Sequence, residues 1–573
     1  MNRSQTFGAD LDPVTVEVVR HKLEGIAEEM QQTLLRSSFS PIVKEGLDAS
    51  ASLFTTEGET LAQACAIPVH LGTLIPVVRR ILDTFDVSTM KPGDAFLMNE
   101  PYLGGTHLPD IAVVSPIFHE KRVVALAAVM THHQDVGGLS PGSVPTNAIE
   151  IYQEGLRIPP LKLRDEGRLN ETLISIVRQN VRIPDTLMGD LNAQLASCNV
   201  GARRIGELVG KFGNNLIAAI FDELLTRSEK LTREALKSIP NGVYRYVDFS
   251  DNDGIDTDRR IRIEVAITIK DGSFHCDFTG SSPQVRGPFN CVPSGALAAA
   301  CFAIRAMTGP SIPTNAGCFR PITLHLPEGS IVNPQEPAPV NARTATIKRI
   351  AGCMLGAVRP AIPNKLPADA AGEMLAVAFG GKRSDGRTFV TGELIAGGSG
   401  ASTCRDGVDV IETDVTNCMN LPAEAMEMEA PIRVKQVALK ADSGGAGKYR
   451  GGLGIIKEYE ILDGEVRFTH RGERHFCAAQ GANGGLAGGL AESVILRAKG
   501  EKEVIPSKMM AVLRKGDRVV VTTAGGGGNG SPSERDQASV EQDVFDGKVS
   551  RKVALDLYGT FPFDPLRKLH PAF

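Results

Sequence analysis

The stretch GGTHLPDIAVVSPIF, residues Gly104–Phe118, places a histidine and an aspartate three residues apart at the start of an apolar run. A second apolar run begins at Val123 and ends in MTHHQDVGG, at Gly138. The polar segment HEKR between the two runs is typical of a turn. The stretch therefore predicts an antiparallel hairpin whose open end carries histidines and aspartates.

The register of this hairpin decides which polar side chains meet. Folding it about Glu120 and Lys121 places Thr131 opposite Asp110, although a register one residue away is compatible with the same sequence. His132 then lies opposite Pro109, and the open end collects these candidate residues: His107, Asp110, His132, His133 and Asp135. Because adjacent strand residues point to opposite faces, His132 and His133 are not expected to serve one site.

The side-chain chemistry of this cluster favours a metal ion. Imidazoles and carboxylates without thiolates suit Zn²⁺, Mn²⁺ or Fe²⁺. The alternative is that these are polar strand ends satisfied by backbone groups, and the clustering favours the metal. Asp48, in KEGLDASASLF, begins another strand, and on its own it fits a turn residue or a helix cap equally well.

Composition excludes several classes of function. The chain has 573 residues and a net charge of −5, without a basic cluster that would bind nucleic acid or an anionic membrane. The start lacks the apolar segment of a signal peptide, and no apolar run approaches the ~20 residues of a membrane span. Ten cysteines include no C-x-x-C pair, so a disulfide framework is not expected. A cytoplasmic location follows as an expectation.

Patterning predicts a mixed α/β (α+β), multidomain fold. Apolar residues recur at helical spacing from Pro13 to Phe39, and long amphipathic helices are predicted between Asp165 and Lys237. Strands dominate from Val243 onward. We therefore expect a metal-binding α/β domain, a β-rich and glycine-rich domain with one central helix, and a C-terminal β-rich module with a tail that makes a subunit contact, with the boundaries 1–240, 241–492 and 493–573.

Long motifs throughout the chain resemble the hydantoinase B/oxoprolinase family. They include GLDASASLFTTEGETLAQ, HLGTL, NEPYLGGTHLPDIAVVSP, THHQDVGGLSPGSVP, EIYQEGLRIPPLKL, DFTGSSPQVRGPFNC and DSGGAGKYRGGLG, and they follow the family order. The family includes N-methylhydantoinase and caprolactamase subunits, the C-terminal part of oxoprolinases, and acetone carboxylase alpha subunits. The resemblance covers nearly the whole chain and implies a divalent metal, with Zn²⁺ favoured and Mn²⁺ as the alternative.

The resemblance also implies roles for individual residues. It gives the metal ligands as His107, Asp110 and His132, with Asp48 as a fourth carboxylate. Further candidates are a catalytic Glu154, a substrate-binding Arg157 and His133, and Asp135 as a base or as a carboxylate that orients His132. A buried ion pair accounts equally well for Glu154 and Arg157, and a turn residue before Gly137 accounts equally well for Asp135.

The partner and reaction are implied in the same way. The sequence has no G-x-x-x-x-G-K-[ST] loop, and related systems bind ATP and Mg²⁺ on a hydantoinase A-type subunit, in heterotetramers or larger assemblies. The implied function is ATP-dependent hydrolysis of a cyclic amide of the hydantoin, oxoproline or lactam type. In it a metal-bound hydroxide attacks a carbonyl that the partner has phosphorylated. The alternatives are a ketone carboxylase alpha subunit, a non-catalytic scaffold, and a hydrolase that needs no partner.

Two segments leave questions that the sequence does not answer. PAPVNARTATIKRIAG, residues 337–352, departs from the stretch common in relatives, which points to an altered substrate pocket or subunit contact. GGGGNGS, residues 525–531, fits an anion-binding nest, and fits a structural turn or a subunit contact better.

Overall fold

The first part of the chain is a seven-stranded antiparallel sheet covered by helices. The computed structural model describes residues 11–559. The helices here are α1 (Pro13–Ser37), α2 (Pro41–Lys44), α3 (Pro68–Thr84), α4 (Glu171–Asn180), α5 (Pro184–Phe212) and α6 (Asn214–Lys237). The strands are β1 (Ala49–Phe54), β2 (Thr60–Gln63), β3 (Ala95–Met98), β4 (Asp110–His119), β5 (Arg122–His132), β6 (Leu161–Asp165) and β7 (Arg168–Leu169). They lie in the order β2-β1-β5-β4-β3-β6-β7.

The centre of this sheet is buried on both faces, which explains its continuous apolar runs. Odd-numbered residues such as Val113 and Val129 pack in a core with α1 and α5. Even-numbered residues such as Ala112 and Met130 pack in a second core with α3 and the helices that follow in the chain. Since side chains alternate along a strand, the parity of a residue number predicts its face at the end of the hairpin.

The middle of the chain covers the even-numbered face. It contains β8 (Gly242–Ser250), β9 (Ile261–Lys270), β10 (Ser273–Asp277) and β11 (Ile322–His325), with α7 (Pro293–Thr308) and α8 (Arg343–Val358). The four strands form one sheet in the order β11-β10-β9-β8. Helices α7 and α8 lie in the same hydrophobic core as the even-numbered side chains of the first sheet.

Two further sheets follow. Their strands are β12 (Met374–Lys382), β13 (Thr388–Ala396), β14 (Ile432–Leu439), β15 (Ile455–Ile461), β16 (Glu465–Arg471), β17 (Glu492–Leu496), β18 (Lys502–Val504), β19 (Lys508–Arg514) and β20 (Arg518–Thr522). The sheet orders are β13-β12-β16-β19 and β14-β15-β20-β17-β18. The remaining helices are α9 (Ala423–Glu429), α10 (Gln537–Phe545) and α11 (Arg551–Tyr558).

The mixed α/β multidomain class predicted from the sequence is confirmed. The change expected near Pro240 falls between α6 and β8. Strands on both sides of residue 493 pair with one another, β16 with β19 and β15 with β20, so residues 493–522 fold together with the preceding sheets. No helix within residues 11–559 is long and apolar enough to cross a membrane.

The hairpin forms where it was predicted, but its register differs by one residue. Glu120 and Lys121 form the turn, both with positive φ, and Asp110 is the residue that pairs with His132. The predicted pairing of Thr131 with Asp110 was therefore wrong. The cause is a β-bulge beside Ile117, which inserts one extra residue into β5.

The glycine stretch Gly525–Gly528 is packed against other backbone segments on every side. A Cβ on Gly525 would lie 1.8 Å from the carbonyl oxygen of Ser443, and one on Gly526 would lie 2.0 Å from that of Ser399. The four glycine N–H groups donate to carbonyl oxygens of other segments. Because these donors are already used, the stretch is a structural element of the fold and not an anion-binding nest.

Candidate metal centre

The open end of the β4–β5 hairpin brings three potential ligand atoms together. His107 Nε2 lies 2.9 Å from Asp110 Oδ1 and 3.2 Å from His132 Nδ1, and the last two atoms are 3.3 Å apart. Asp110 and His132 are paired strand residues and both are even-numbered, so they share a face. Backbone contacts hold His107 beside them, since the Asp110 N–H donates to the His107 carbonyl oxygen.

The protonation state of His107 leaves a lone pair facing this cluster. Its Nδ1 lies 2.9 Å from the backbone carbonyl oxygen of Asn341, which can only accept a hydrogen bond. Burial and then the nearby Arg343 lower the pKa of His107 to about 3, so the imidazole is neutral and its single proton lies on Nδ1. Nε2 and the carboxylate oxygen of Asp110 are therefore two acceptors at 2.9 Å, an arrangement that a cation would relieve.

Asp110 divides its two oxygens between the cluster and its support. Oδ2 accepts hydrogen bonds from Arg343 Nη2 and Thr106 Oγ1, each at 2.5 Å. Burial opposes ionisation of Asp110, but His107 and the Arg343 guanidinium outweigh it and hold the pKa of Asp110 well below its usual range. Asp110 is thus a charged ligand whose second oxygen is fixed in orientation.

Asp48 lies at the edge of this cluster, together with a histidine that the sequence analysis did not select. The Asp48 carboxylate is 4.0 Å from His132 Nδ1 and 3.7 Å from Nε2 of His70. His70 is buried, lies 3.9 Å from Asp110 Oδ2, and has Ser50 Oγ 3.0 Å from its Nδ1. His70 therefore orients the two carboxylates or extends the ligand set.

The geometry of these donors fits a divalent ion. A tetrahedral ion with ligand bonds of about 2.0 Å separates its ligand atoms by about 3.3 Å. The three separations of 2.9–3.3 Å at His107, Asp110 and His132 match this value. Two imidazole nitrogens and one or two carboxylate oxygens are a donor set for Zn²⁺ or Mn²⁺. Within residues 11–559 it is the one such group of three or more His, Cys, Asp and Glu ligand atoms.

Glu154 supports the cluster from a distance. Its side chain is fully buried and accepts hydrogen bonds from the backbone N–H groups of Val340 and Asn341. Burial raises the pKa of Glu154 to about 8. Since the Asn341 carbonyl oxygen receives the His107 proton, Glu154 positions a metal-ligand candidate through one backbone segment.

The remaining candidate residues lie outside the cluster. Asp135 accepts hydrogen bonds from the backbone of Gly137, Gly142 and Arg182 and pairs with the Arg182 guanidinium, so it organises the loop after β5. Its hydrogen bonds in the described chain are all of this kind, and they do not include His132. His133 is odd-numbered and lies on the α5 face, next to Thr131 and Gln194. No part of it lines the pocket described below.

Arg157 likewise lies outside that pocket. Its guanidinium pairs with Glu100 and Glu336 at 2.7 Å each, and Glu100 is buried. Arg157 therefore forms the ion pair that the sequence allowed. Glu154 forms no such pair among the described residues, because its carboxylate is bound by backbone amides.

The cluster forms one end of a pocket between the first sheet and the β12–β13 hairpin. The pocket encloses about 710 Å³, including its mouth. Aliphatic side chains from both sides form much of its wall: Ile42, Ile67, Val69, Val144, Met374, Val390 and Leu394. The polar lining other than the cluster includes His70, Arg343, Glu393 and Arg471.

Three residues at the site were missed by sequence reasoning. His70 lies in the HLGTL motif, and a histidine inside a motif was a usable signal. Asn341 and Arg343 lie in the departing segment 337–352, at separations of 234 and 233 residues from the side chains that they contact. Nothing local in that segment indicates contact with His107 or Asp110.

Comparison with known proteins agrees with this geometry. A profile of the hydantoinase B/oxoprolinase family matches residues 12–532. The B component of a D-/L-hydantoinase named in Pseudomonas sp. (strain NS671) is 32% identical over 98% of this chain and 97% of that protein. The crystal structure of the ATP-dependent caprolactamase from Pseudomonas jessenii matches with a TM-score of 0.88 at 29% identity, over 97% of each chain.

An acetone carboxylase structure has a TM-score of 0.89 at 19% identity, covering 96% of this chain and 79% of that one, a likeness that concerns the fold alone. The family profile spans most of the chain, and a relative above 30% identity spans nearly all of it. The chain therefore belongs to the hydantoinase B/oxoprolinase family.

Proposed function

We propose that this chain is the metal-bearing subunit of an ATP-dependent cyclic amide hydrolase. The observation that supports the proposal best is the cluster of His107, Asp110 and His132 at one end of a largely aliphatic pocket. Its ligand-atom spacing suits Zn²⁺, with Mn²⁺ as the alternative. In the proposed assembly ATP and Mg²⁺ are held by a partner of the hydantoinase A type, which phosphorylates the carbonyl oxygen of the amide.

The chemistry assigned to this subunit is attack of water on the activated carbonyl carbon. A divalent ion held by the cluster would lower the pKa of water enough to supply the nucleophile near neutral pH. The C–N electron pair and a proton then go to the ring nitrogen, and the ring opens. Asn341 keeps the His107 proton on Nδ1, and Arg343 keeps the second oxygen of Asp110 turned away.

The pocket wall bears on the kind of amide. Its aliphatic side chains suit the methylene groups of a lactam or the substituent of a hydantoin, and they exclude bulk water from the reacting carbon. A ketone carboxylase could use the same ligands. The hydrolase is preferred because the relatives at 29–32% identity are named as hydantoinase and caprolactamase proteins, whereas the likeness to acetone carboxylase concerns the fold alone.

Metal content of the purified full-length chain is the first test. We expect about one Zn or Mn per chain, and loss of that metal in His107→Ala, measured by plasma mass spectrometry. His275→Ala is the matched control, since His275 lies on β10 away from the pocket, and it should keep its metal. Negligible metal in the wild-type chain, even after metal supplementation during expression, would refute the metal-bearing role.

Activity of the reconstituted complex separates the candidate reactions. The wild-type chain with its A-type partner, ATP and Mg²⁺ should open hydantoin, 5-oxoproline or ε-caprolactam, and the His107→Ala complex should not. Incorporation of labelled bicarbonate into acetone would identify a carboxylase instead. Full activity of the His107→Ala complex would identify a scaffold, and turnover by the isolated chain without ATP would identify a partner-independent hydrolase.

A further inference from the structure

Arg471 lies in the wall of the metal pocket without an assigned role. It is the last residue of β16, where it pairs with Ala376 on β12 and Lys508 on β19. Only 5% of its surface is exposed, and its side chain lines the pocket. A guanidinium is therefore held at the pocket by the centre of a sheet, which is a rigid support.

This guanidinium has no carboxylate partner among the described residues. Its one side-chain hydrogen bond joins Nη1 to Asn341 Oδ1 at 3.1 Å. The neighbouring Arg343, by contrast, is paired with Asp110. The acid that acts electrostatically on Arg471 is Glu154, and Glu154 is largely protonated at neutral pH because burial raises its pKa to about 8.

A buried cation without a counterion is costly, by several kcal/mol in typical proteins. Burial lowers the pKa of Arg471 to about 10, so the group is still charged at neutral pH. A protein keeps such a charge where a ligand supplies the opposite one. Planar guanidinium groups bind phosphate oxygens through two parallel N–H bonds, and within residues 11–559 only Nη1 of the Arg471 guanidinium already donates a hydrogen bond.

The total charge of the pocket identifies the size of the missing charge. In a count of charges, Asp110 offsets Arg343, with which it is paired, and Asp48 offsets Arg471, although no ion pair joins these two. A divalent ion at the cluster then leaves the pocket with a net charge of about +2. A phosphoryl group carries about −1.5 to −2 at pH 7, whereas an unactivated cyclic amide is neutral or, as a carboxylate-bearing ring, carries a single negative charge.

We propose that Arg471 is the residue that binds the phosphoryl group of the activated amide, and that it holds inorganic phosphate before release. This inference rests on the proposed function, because that function brings a phosphorylated carbonyl to this pocket. Asn341 links the two halves of the site, since its side-chain oxygen accepts from Arg471 and its backbone oxygen faces His107 Nδ1. The pocket thus selects the activated substrate over the free amide.

Calorimetric titration of the metal-loaded full chain with inorganic phosphate tests this assignment. The wild-type chain should bind phosphate, and Arg471→Met should bind it at least about tenfold more weakly with unchanged metal content. Arg471→Lys keeps the charge but loses the planar fork, so it should fall between the two. Arg467→Met is the matched control, on the same strand with an exposed side chain, and should bind phosphate as the wild type does.

The outcomes separate this inference from the proposed function. Wild-type chain that holds metal but does not bind phosphate would overturn the inference, as would Arg471→Met with unchanged phosphate affinity. In both cases the metal-bearing role would stand. Absence of metal from the wild-type chain would refute the proposed function itself. If Arg471→Met does not fold, Arg471→Lys carries the test, and an affinity equal to that of the wild type would count against a role for the guanidinium fork.

Discussion

The two sides of the metal pocket have different origins. One side comes from neighbouring strand ends, where Asp48, Asp110 and His132 meet through sheet pairing. The other comes from the distant segment around Asn341 and Arg343 and from the end of β16. The first side supplies the candidate ligands, and the second fixes their protons and balances their charge. A donor set can therefore be read from local sequence, while its electrostatic setting is assembled from afar.

Removing Asp110 breaks both sides at once and should have the largest effect. Asp110→Ala deletes a candidate ligand and leaves Arg343 buried without its partner. Breaking a buried ion pair typically costs about 3–5 kcal/mol. We expect loss of the metal and a fall of this size in the free energy of unfolding of the metal-free chain, measured by urea titration. A metal content equal to that of the wild type would show that the hairpin side is not the ligand side.

Removing Arg343 alone tests the distant side. In Arg343→Met the ligands remain, but Asp110 loses the bond that orients its second oxygen. Loss of such supporting bonds typically weakens metal binding by about 10–100-fold. Competition with a chromogenic chelator would measure this change, with Arg305→Met on α7, outside the pocket, as control. An affinity within about twofold of the wild type would mean that the two sides are independent.

The glycine stretch supports the distant side through backbone packing. A Cβ on Gly526 would overlap the Ser399 carbonyl oxygen, so Gly526→Ala should destabilise the chain by about 1–3 kcal/mol. Gly206→Ala, in α5 with open space around it, should not destabilise and should gain up to about 1 kcal/mol from helix propensity. Thermal unfolding of the two variants gives the comparison. Equal unfolding temperatures would contradict the close packing.

A pH titration compares two buried histidines, one from each side. Burial lowers the pKa of His470, like that of His107, to about 3, against 6.5 for a free histidine. The unfolded chain therefore binds more protons between pH 6.5 and 3, so the stability that His470 contributes is complete above pH 6.5 and falls with pH below it.

Replacing His470 should flatten part of this dependence. Between about pH 7.5 and 5, the wild type should lose about 2 kcal/mol more of its free energy of unfolding than His470→Asn does, because each pH unit below the free-histidine pKa of about 6.5 is worth about 1.4 kcal/mol. Urea titrations at both pH values measure the difference, and other titrating groups cancel because both chains contain them. Parallel curves would show that His470 is not held neutral by burial.

Much of the hairpin side could be predicted from residues alone. The turn at Glu120 and Lys121, the antiparallel pairing and the separation of His132 from His133 all follow from period-2 alternation and turn chemistry. The register did not follow, because the bulge beside Ile117 has no signature in the sequence. Helix α1 was also predictable, and Asp12 caps it through the N–H groups of Val14 and Thr15.

The sequence by itself determined the mixed α/β class, the hairpin and, through long motifs, the membership of a family. Only the tertiary structure decided that Glu154 holds Asn341, that Arg343 pairs with Asp110, and that Arg471 lines the pocket without a carboxylate partner in the described chain. Local patterns record the period of a strand or a helix, which depends on neighbouring residues. Contacts between residues hundreds of positions apart depend on how whole layers pack, and no local spacing records that.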